Sequence, residues 1–182
     1  MTCYPTTVDE YHAMCADDNS RLLRDHYTGH GELWPLPSDG KWWRKTRYEF
    51  TNDAKDPLTW HAQGLQARPD RHIAETDLGS VPRIVQIIPA LSKDRYARSY
   101  IFHDSAYLYG GWYVRMADGA FRFVRLSRDE ADEWLYRGII SEGGSVTTAR
   151  AVWAAVRTGG WCGWDAKAHA EARFHAGITV AG

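Results

Sequence analysis

His103, Asp104 and Tyr107 fall in one stretch with few helix breakers, and their types suit the activation of water. Neighbours on an α-helix lie about 100° apart, and Tyr107 follows His103 by four residues and Asp104 by three, so all three can address one flank. A neutral imidazole can take a proton from water, while the carboxylate beside it is a hard oxygen ligand for a cation such as calcium. The same pair can also sit solvated on a helix, satisfied by local hydrogen bonds. Asp132, at the start of a second expected helix, strengthens the functional reading. If the two helices pack antiparallel, its carboxylate can accept from the His103 nitrogen that faces away from the water and so fix the tautomer. Otherwise Asp132 is one more negative charge favourable to a helix dipole.

These residues need rigid elements to hold them. Tyr96, Ala97, Tyr100, Ile101, Asp104 and Leu108 recur at three and four residues, which predicts a helix over Lys93–Tyr109, ended by Gly110 and Gly111. Trp112–Met116 and Phe121–Leu126 flank Ala117-Asp-Gly-Ala120, the pattern of a two-stranded flap between helices. Ser127-Arg-Asp-Glu130 is a capping box before the apolar stripe of Ala131, Trp134, Leu135 and Ile139. A third helix carries Ala149, Val152, Trp153 and Val156 between glycine pairs, with Ser145 or Thr147 as its cap. Upstream, Tyr27–Trp60 is aromatic and punctuated, as in short strands joined by turns, with Asp39-Gly40 linking Trp34–Pro37 to Trp42–Phe50. Val8–Arg24 has the pattern of a marginal amphipathic helix, and Thr76–Pro82 that of a rigid loop. The expected fold is α+β: a strand-rich aromatic N-terminal half packed on three helices, with a β-hairpin between the first two. Residues 1–26 read as an N-terminal extension, 27–164 as one domain and 165–182 as a tail.

Composition narrows the function classes. Over 182 residues, 22 Lys and Arg stand against 23 Asp and Glu, a formal charge of −1. No field of one sign favours duplex DNA or an anionic membrane, so no nucleic-acid partner is expected. No run approaches the ~18 apolar residues of a membrane span. Nine Trp and ten Tyr fit either a large aromatic core or rings facing a ligand or a neighbouring subunit. Cys3, Cys15 and Cys162 lack the spacing of a disulfide framework or a zinc site. The opening Met-Thr-Cys-Tyr-Pro has no secretory pattern, which points to synthesis in the cytoplasm. Ser80 lies outside a nucleophile elbow, and His26 and His30 flank glycines that would break a metal-binding helix. There is no phosphate-binding or dinucleotide fingerprint.

His103-Asp-x-x-Tyr107, then a hairpin, then Ala131-Asp132 resembles the active-site core of the secreted and parvoviral phospholipase A2 enzymes. The resemblance covers about forty residues, and the motif is short. It implies His103 as the base that activates water, Asp104 as the calcium ligand, Tyr107 as support and Asp132 as the group that orients the histidine. The implied substrate is a phospholipid or cell-envelope ester. The glycine-rich calcium loop of those enzymes has no counterpart, but Asp77 offers a hard anionic ligand and Gly79 lets carbonyls approach a cation. Asp77 can equally close a local turn through an Asx bond.

A longer stretch, roughly Gly29 to Trp164, is similar to domain-of-unknown-function family 1353, small proteins frequent in tailed phages and prophages. The similarity rests on Thr76-Asp-Leu-Gly-Ser-Val-Pro-Arg83, Tyr96-Ala-Arg98, His103-Asp104, Tyr107, Ser127-Arg128, Glu130-Ala-Asp132 and Ala154-Ala-Val-Arg-x-Gly-Gly-Trp161. It implies a phage or prophage origin and so synthesis in the cytoplasm of an infected host, while association with a virion belongs to the alternative reading. The expected function is a calcium-type His-Asp hydrolase site. The alternative is a non-enzymatic virion component whose exposed aromatics contact other phage proteins.

Overall fold

The computed structural model describes residues 25–37, 47–62, 65–76, 93–159 and 164–179. In chain order the described strands are β1 (His26–Thr28), β2 (Gly31–Pro35), β3 (Tyr48–Asn52), β4 (Thr59–Ala62), β5 (Leu65–Arg68), β6 (His72–Thr76), β7 (Gly111–Arg115) and β8 (Phe121–Arg125). The helices are α1 (Ala97–Tyr109), α2 (Arg128–Ser141), α3 (Val146–Gly159) and α4 (Ala166–Ala176). The fold is α+β. One antiparallel sheet runs β1-β4-β5-β7-β8 and a second β2-β3-β6. The predicted helix over Val8–Arg24, the Asp39-Gly40 turn, Asp77 with the loop to Pro82, and all three cysteines lie outside the described residues.

The β7–β8 hairpin differs from the expected flap. Ala67 pairs with Val114 and Arg68 with Tyr113, which makes the hairpin an extension of the larger sheet. The cause is apolar alternation: Trp112, Val114 and Val124 share one buried face of the hairpin, and such a face cannot stand alone in water. Trp60 on β4, Phe102 on α1, Trp112 on β7 and Trp134 on α2 then meet at that face. Their ring centroids lie 4.9 Å apart for Trp60 and Trp134 and 5.2 Å apart for Phe102 and Trp112, both near edge-to-face. Each such pair adds about 0.5–1.5 kcal/mol beyond burial, so this seam fixes α1 and α2 against the sheet. Not every tryptophan joins it, since Trp34 is 57 % exposed and Trp153 37 %.

Helix α1 is buried on most of its circumference, as expected of a central helix. It starts after a short 3-10 turn at Lys93–Tyr96 and stops at Gly110, whose φ of 75° is left-handed. The predicted capping box opens α2: Ser127 Oγ accepts from the Glu130 amide, and the Glu130 carboxylate accepts from the Ser127 amide at 2.7 Å. For α3 the hydroxyl of Ser145 accepts from the Thr148 amide at 3.0 Å.

Candidate functional site

Helices α1 and α2 bring His103, Tyr107 and Asp132 into contact. His103 Nε2 lies 3.0 Å from Asp132 Oδ1, and the Tyr107 hydroxyl donates to the same oxygen at 2.8 Å. Because a carboxylate only accepts, Nε2 carries the hydrogen and a neutral ring keeps its lone pair on Nδ1. The His103 and Tyr107 rings lie 4.2 Å apart, four residues along one helix. Both His103 and Asp132 are buried, at 3 % and 0 % exposure.

A carboxylate with no exposure needs compensating charge. Arg128 Nε and Arg157 Nη1 each lie 3.6 Å from Asp132 Oδ2 and supply it. Arg128 also donates to the Val156 and Arg157 carbonyls at 3.1 and 2.7 Å, and Arg157 pairs with Asp129. The site therefore joins α1, α2 and the C-terminus of α3 in one network. Sequence reasoning missed both arginines. Arg128 had a usable signal, since it precedes Asp132 by four residues on a helix. Arg157 on α3 stands in the Ala154–Trp161 motif of the family similarity, which by itself assigns it no contact.

On the opposite edge of the imidazole, Nδ1 finds no hydrogen-bond partner among the described residues. Its nearest carboxylate oxygen is Asp104 Oδ1 at 3.7 Å, too far for a hydrogen bond. Asp104 Oδ2 instead accepts from the Thr76 hydroxyl at the end of β6. Burial lowers the His103 pKa, but Asp104 and Asp132 outweigh it and the net shift is upward. Burial also pushes the Tyr107 hydroxyl well up, so the phenol stays a donor.

Asp104 was also a predicted calcium ligand, together with Asp77. Calcium takes six to eight oxygens. The described residues provide Asp104 and the Thr76 hydroxyl but no group of three acidic, His or Cys side chains suited to a metal. They do not by themselves complete a calcium shell, and Asp77 lies outside them.

Helix α4 reaches the site from behind. His169, 4 % exposed, donates from Nε2 to the Tyr107 carbonyl at 2.7 Å, and Trp164 stands edge-on to the Tyr107 ring at 5.1 Å. His26 and His30, by contrast, lie away from this cluster: His26 is in β1, stacked on His61 at 4.7 Å, and His30 faces Asp56 at 3.5 Å.

No curated protein and no solved structure matches the chain. Residues 70–156, which run from just before β6 through most of α3 and so include His103, Asp104, Tyr107, Arg128 and Asp132, match the family model described as Protein of unknown function (DUF1353).

Proposed function

We propose that His103, Asp132 and Tyr107 form a water-activating hydrolase site of phospholipase A2 type, acting on carboxylic esters of membrane or envelope lipids. The observation that carries this reading is the Nδ1 edge of His103: buried, without a described hydrogen-bond partner, on a ring whose other nitrogen Asp132 holds. In the proposed step Nδ1 takes a proton from water while the water oxygen bonds to the ester carbonyl carbon. The tetrahedral adduct then expels the alcohol, which leaves with the proton returned by the imidazolium. Asp132 and Tyr107 keep the ring oriented and stabilise its charged form. A calcium ion on Asp104, with Asp77 as second carboxylate, belongs to the same reading and would polarise the carbonyl.

A second reading is favoured by the 3 % exposure of His103. Here the cluster is a buried ion network that clamps α1, α2 and α3, and the protein is a non-enzymatic component of a phage particle, made in the host cytoplasm. Buried charged groups serve structure as well as chemistry.

Fatty-acid release from mixed phospholipid vesicles separates the two. With calcium present, wild type is expected to release fatty acid, and His103→Gln to be slower by about 10²–10⁴-fold. Asp104→Asn and chelation report on the cation. Release that His103→Gln retains, or none from folded wild type, removes the hydrolase reading.

A further inference from the structure

A second site lies away from the histidine, at one end of the larger sheet. The end of β5, the β3–β4 connection and the outer faces of β7 and β8 frame an open cavity of about 350 Å³, within the size range of small-molecule sites. Arg68, Arg71, Tyr113 and Phe121 line it, with Pro57 and Pro69 adding apolar wall.

The guanidinium of Arg68 is already oriented. It stacks 3.8 Å over the Phe121 ring, and its Nε donates to Thr59 Oγ1 at 3.1 Å. Its terminal nitrogens have no carboxylate partner among the described residues, and neither has the side chain of Arg71. Burial and the charge of Arg115 lower the Arg68 pKa, the mark of a cation without a counter-ion.

Two acids share the cavity, yet both are engaged with backbone. Asp53 Oδ1 accepts from the Lys55 and Asp56 amides, each at 2.7 Å, and Asp70 Oδ1 accepts from the His72 amide at 3.1 Å. Burial raises the Asp70 pKa, partly offset by the hydrogen bond from the His72 amide. A fixed arginine fork above an aromatic face, beside apolar walls, matches an oxyanion carried on a flat apolar body.

We infer that this cavity binds a small aromatic oxyanion, a phosphate or a carboxylate, which Arg68 takes through its terminal nitrogens with Arg71 as second cation. The ring of such a ligand lies against the proline walls beside Tyr113. This inference is independent of the hydrolase reading, because none of its residues belongs to the His103 cluster.

Calorimetric titration of the full chain at low salt tests it, with phenyl phosphate, benzoate and inorganic phosphate as probes. Phenyl phosphate or benzoate is expected to bind, and inorganic phosphate more weakly because it lacks the ring. Which aromatic probe binds more tightly identifies the oxyanion. Arg68→Gln is expected to weaken binding by about tenfold or more, and Arg71→Gln, at an exposed position, by less. Arg68→Lys keeps the charge but loses the fork, and is expected to fall between wild type and Arg68→Gln. Melting curves establish that each variant is folded. Absence of binding by either aromatic probe, or affinity unchanged in both glutamine variants, overturns the inference.

Discussion

A histidine between two carboxylates titrates unlike one in water, and the sign of its shift decides how His103 responds to pH. The ring faces Asp104 and Tyr107 on its own helix, Asp132 on α2 and, through that carboxylate, Arg128 and Arg157. Burial lowers its pKa, and the two carboxylates raise it to a net position above 6.5. A group whose folded pKa is raised binds its proton more tightly in the folded state. Its stabilisation is complete below about pH 6.5 and is lost as pH rises through the folded value. Urea unfolding of wild type and His103→Gln between about pH 5 and pH 9 is therefore expected to show a stability difference that shrinks with rising pH. A difference that grows toward alkaline pH would contradict the ion pairing. On the proposed hydrolase reading, ester hydrolysis should move the other way, because the base acts only when neutral. Activity would then be gained over the interval in which this residue ceases to stabilise the fold.

Two helices hold that geometry, and their approach depends on a residue with no side chain. A Cβ at Gly138 of α2 would come within 2.6 Å of Tyr27 Oη, 2.9 Å of Ser99 Oγ and 3.1 Å of Ser99 Cβ. Gly138→Ala gains about 1 kcal/mol of helix propensity, but overpacking costs typically 1–3 kcal/mol. The net change is expected to be destabilising by about 1 kcal/mol in urea unfolding. A variant more stable than wild type would mean that α1 and α2 are less closely packed. Sequence could not reveal this contact, since an isolated glycine in a helical pattern reads only as a weak position. The capping box at Ser127–Glu130 was legible because its residues meet within one turn, and so was the stop of α1 at Gly110. The stretch from His103 to Tyr107 was legible for the same local reason. Arg157 was not, because its approach to Asp132 depends on how α3 lies against α2, and no periodicity encodes that. Nor did alternation in β7 and β8 reveal whether β5 would join them, because sheet neighbours are chosen by tertiary packing.

At the scale of the molecule, the site is held between the sheet in front and α4 behind. Carbonyls at the end of a helix lack partners within it, and α4 supplies them for α1: His169 donates to the Tyr107 carbonyl and Arg173 to that of Tyr109. Gly110 leaves room for this, because any Cβ there would lie 2.8 Å from both His169 Nδ1 and Arg173 Nη1. Burial lowers the His169 pKa, only partly offset by the Tyr107 carbonyl. A depressed pKa gives stabilisation that is complete above about pH 6.5 and lost as pH falls through the folded value, opposite in sign to His103. Acidification should therefore loosen α4 first, while the protonated His103 keeps α1 on α2. Hydrogen exchange, corrected for the intrinsic rate, is expected to rise in α4 and in the last turn of α1 at low pH before it rises in α2. His169→Gln should remove most of that pH dependence. Exchange that rises together in α2 and α4 would show that the tail is no separate unit. The ordered response would instead mean that the two histidines hold the same helix from opposite sides, with both contributions whole only around pH 6.5.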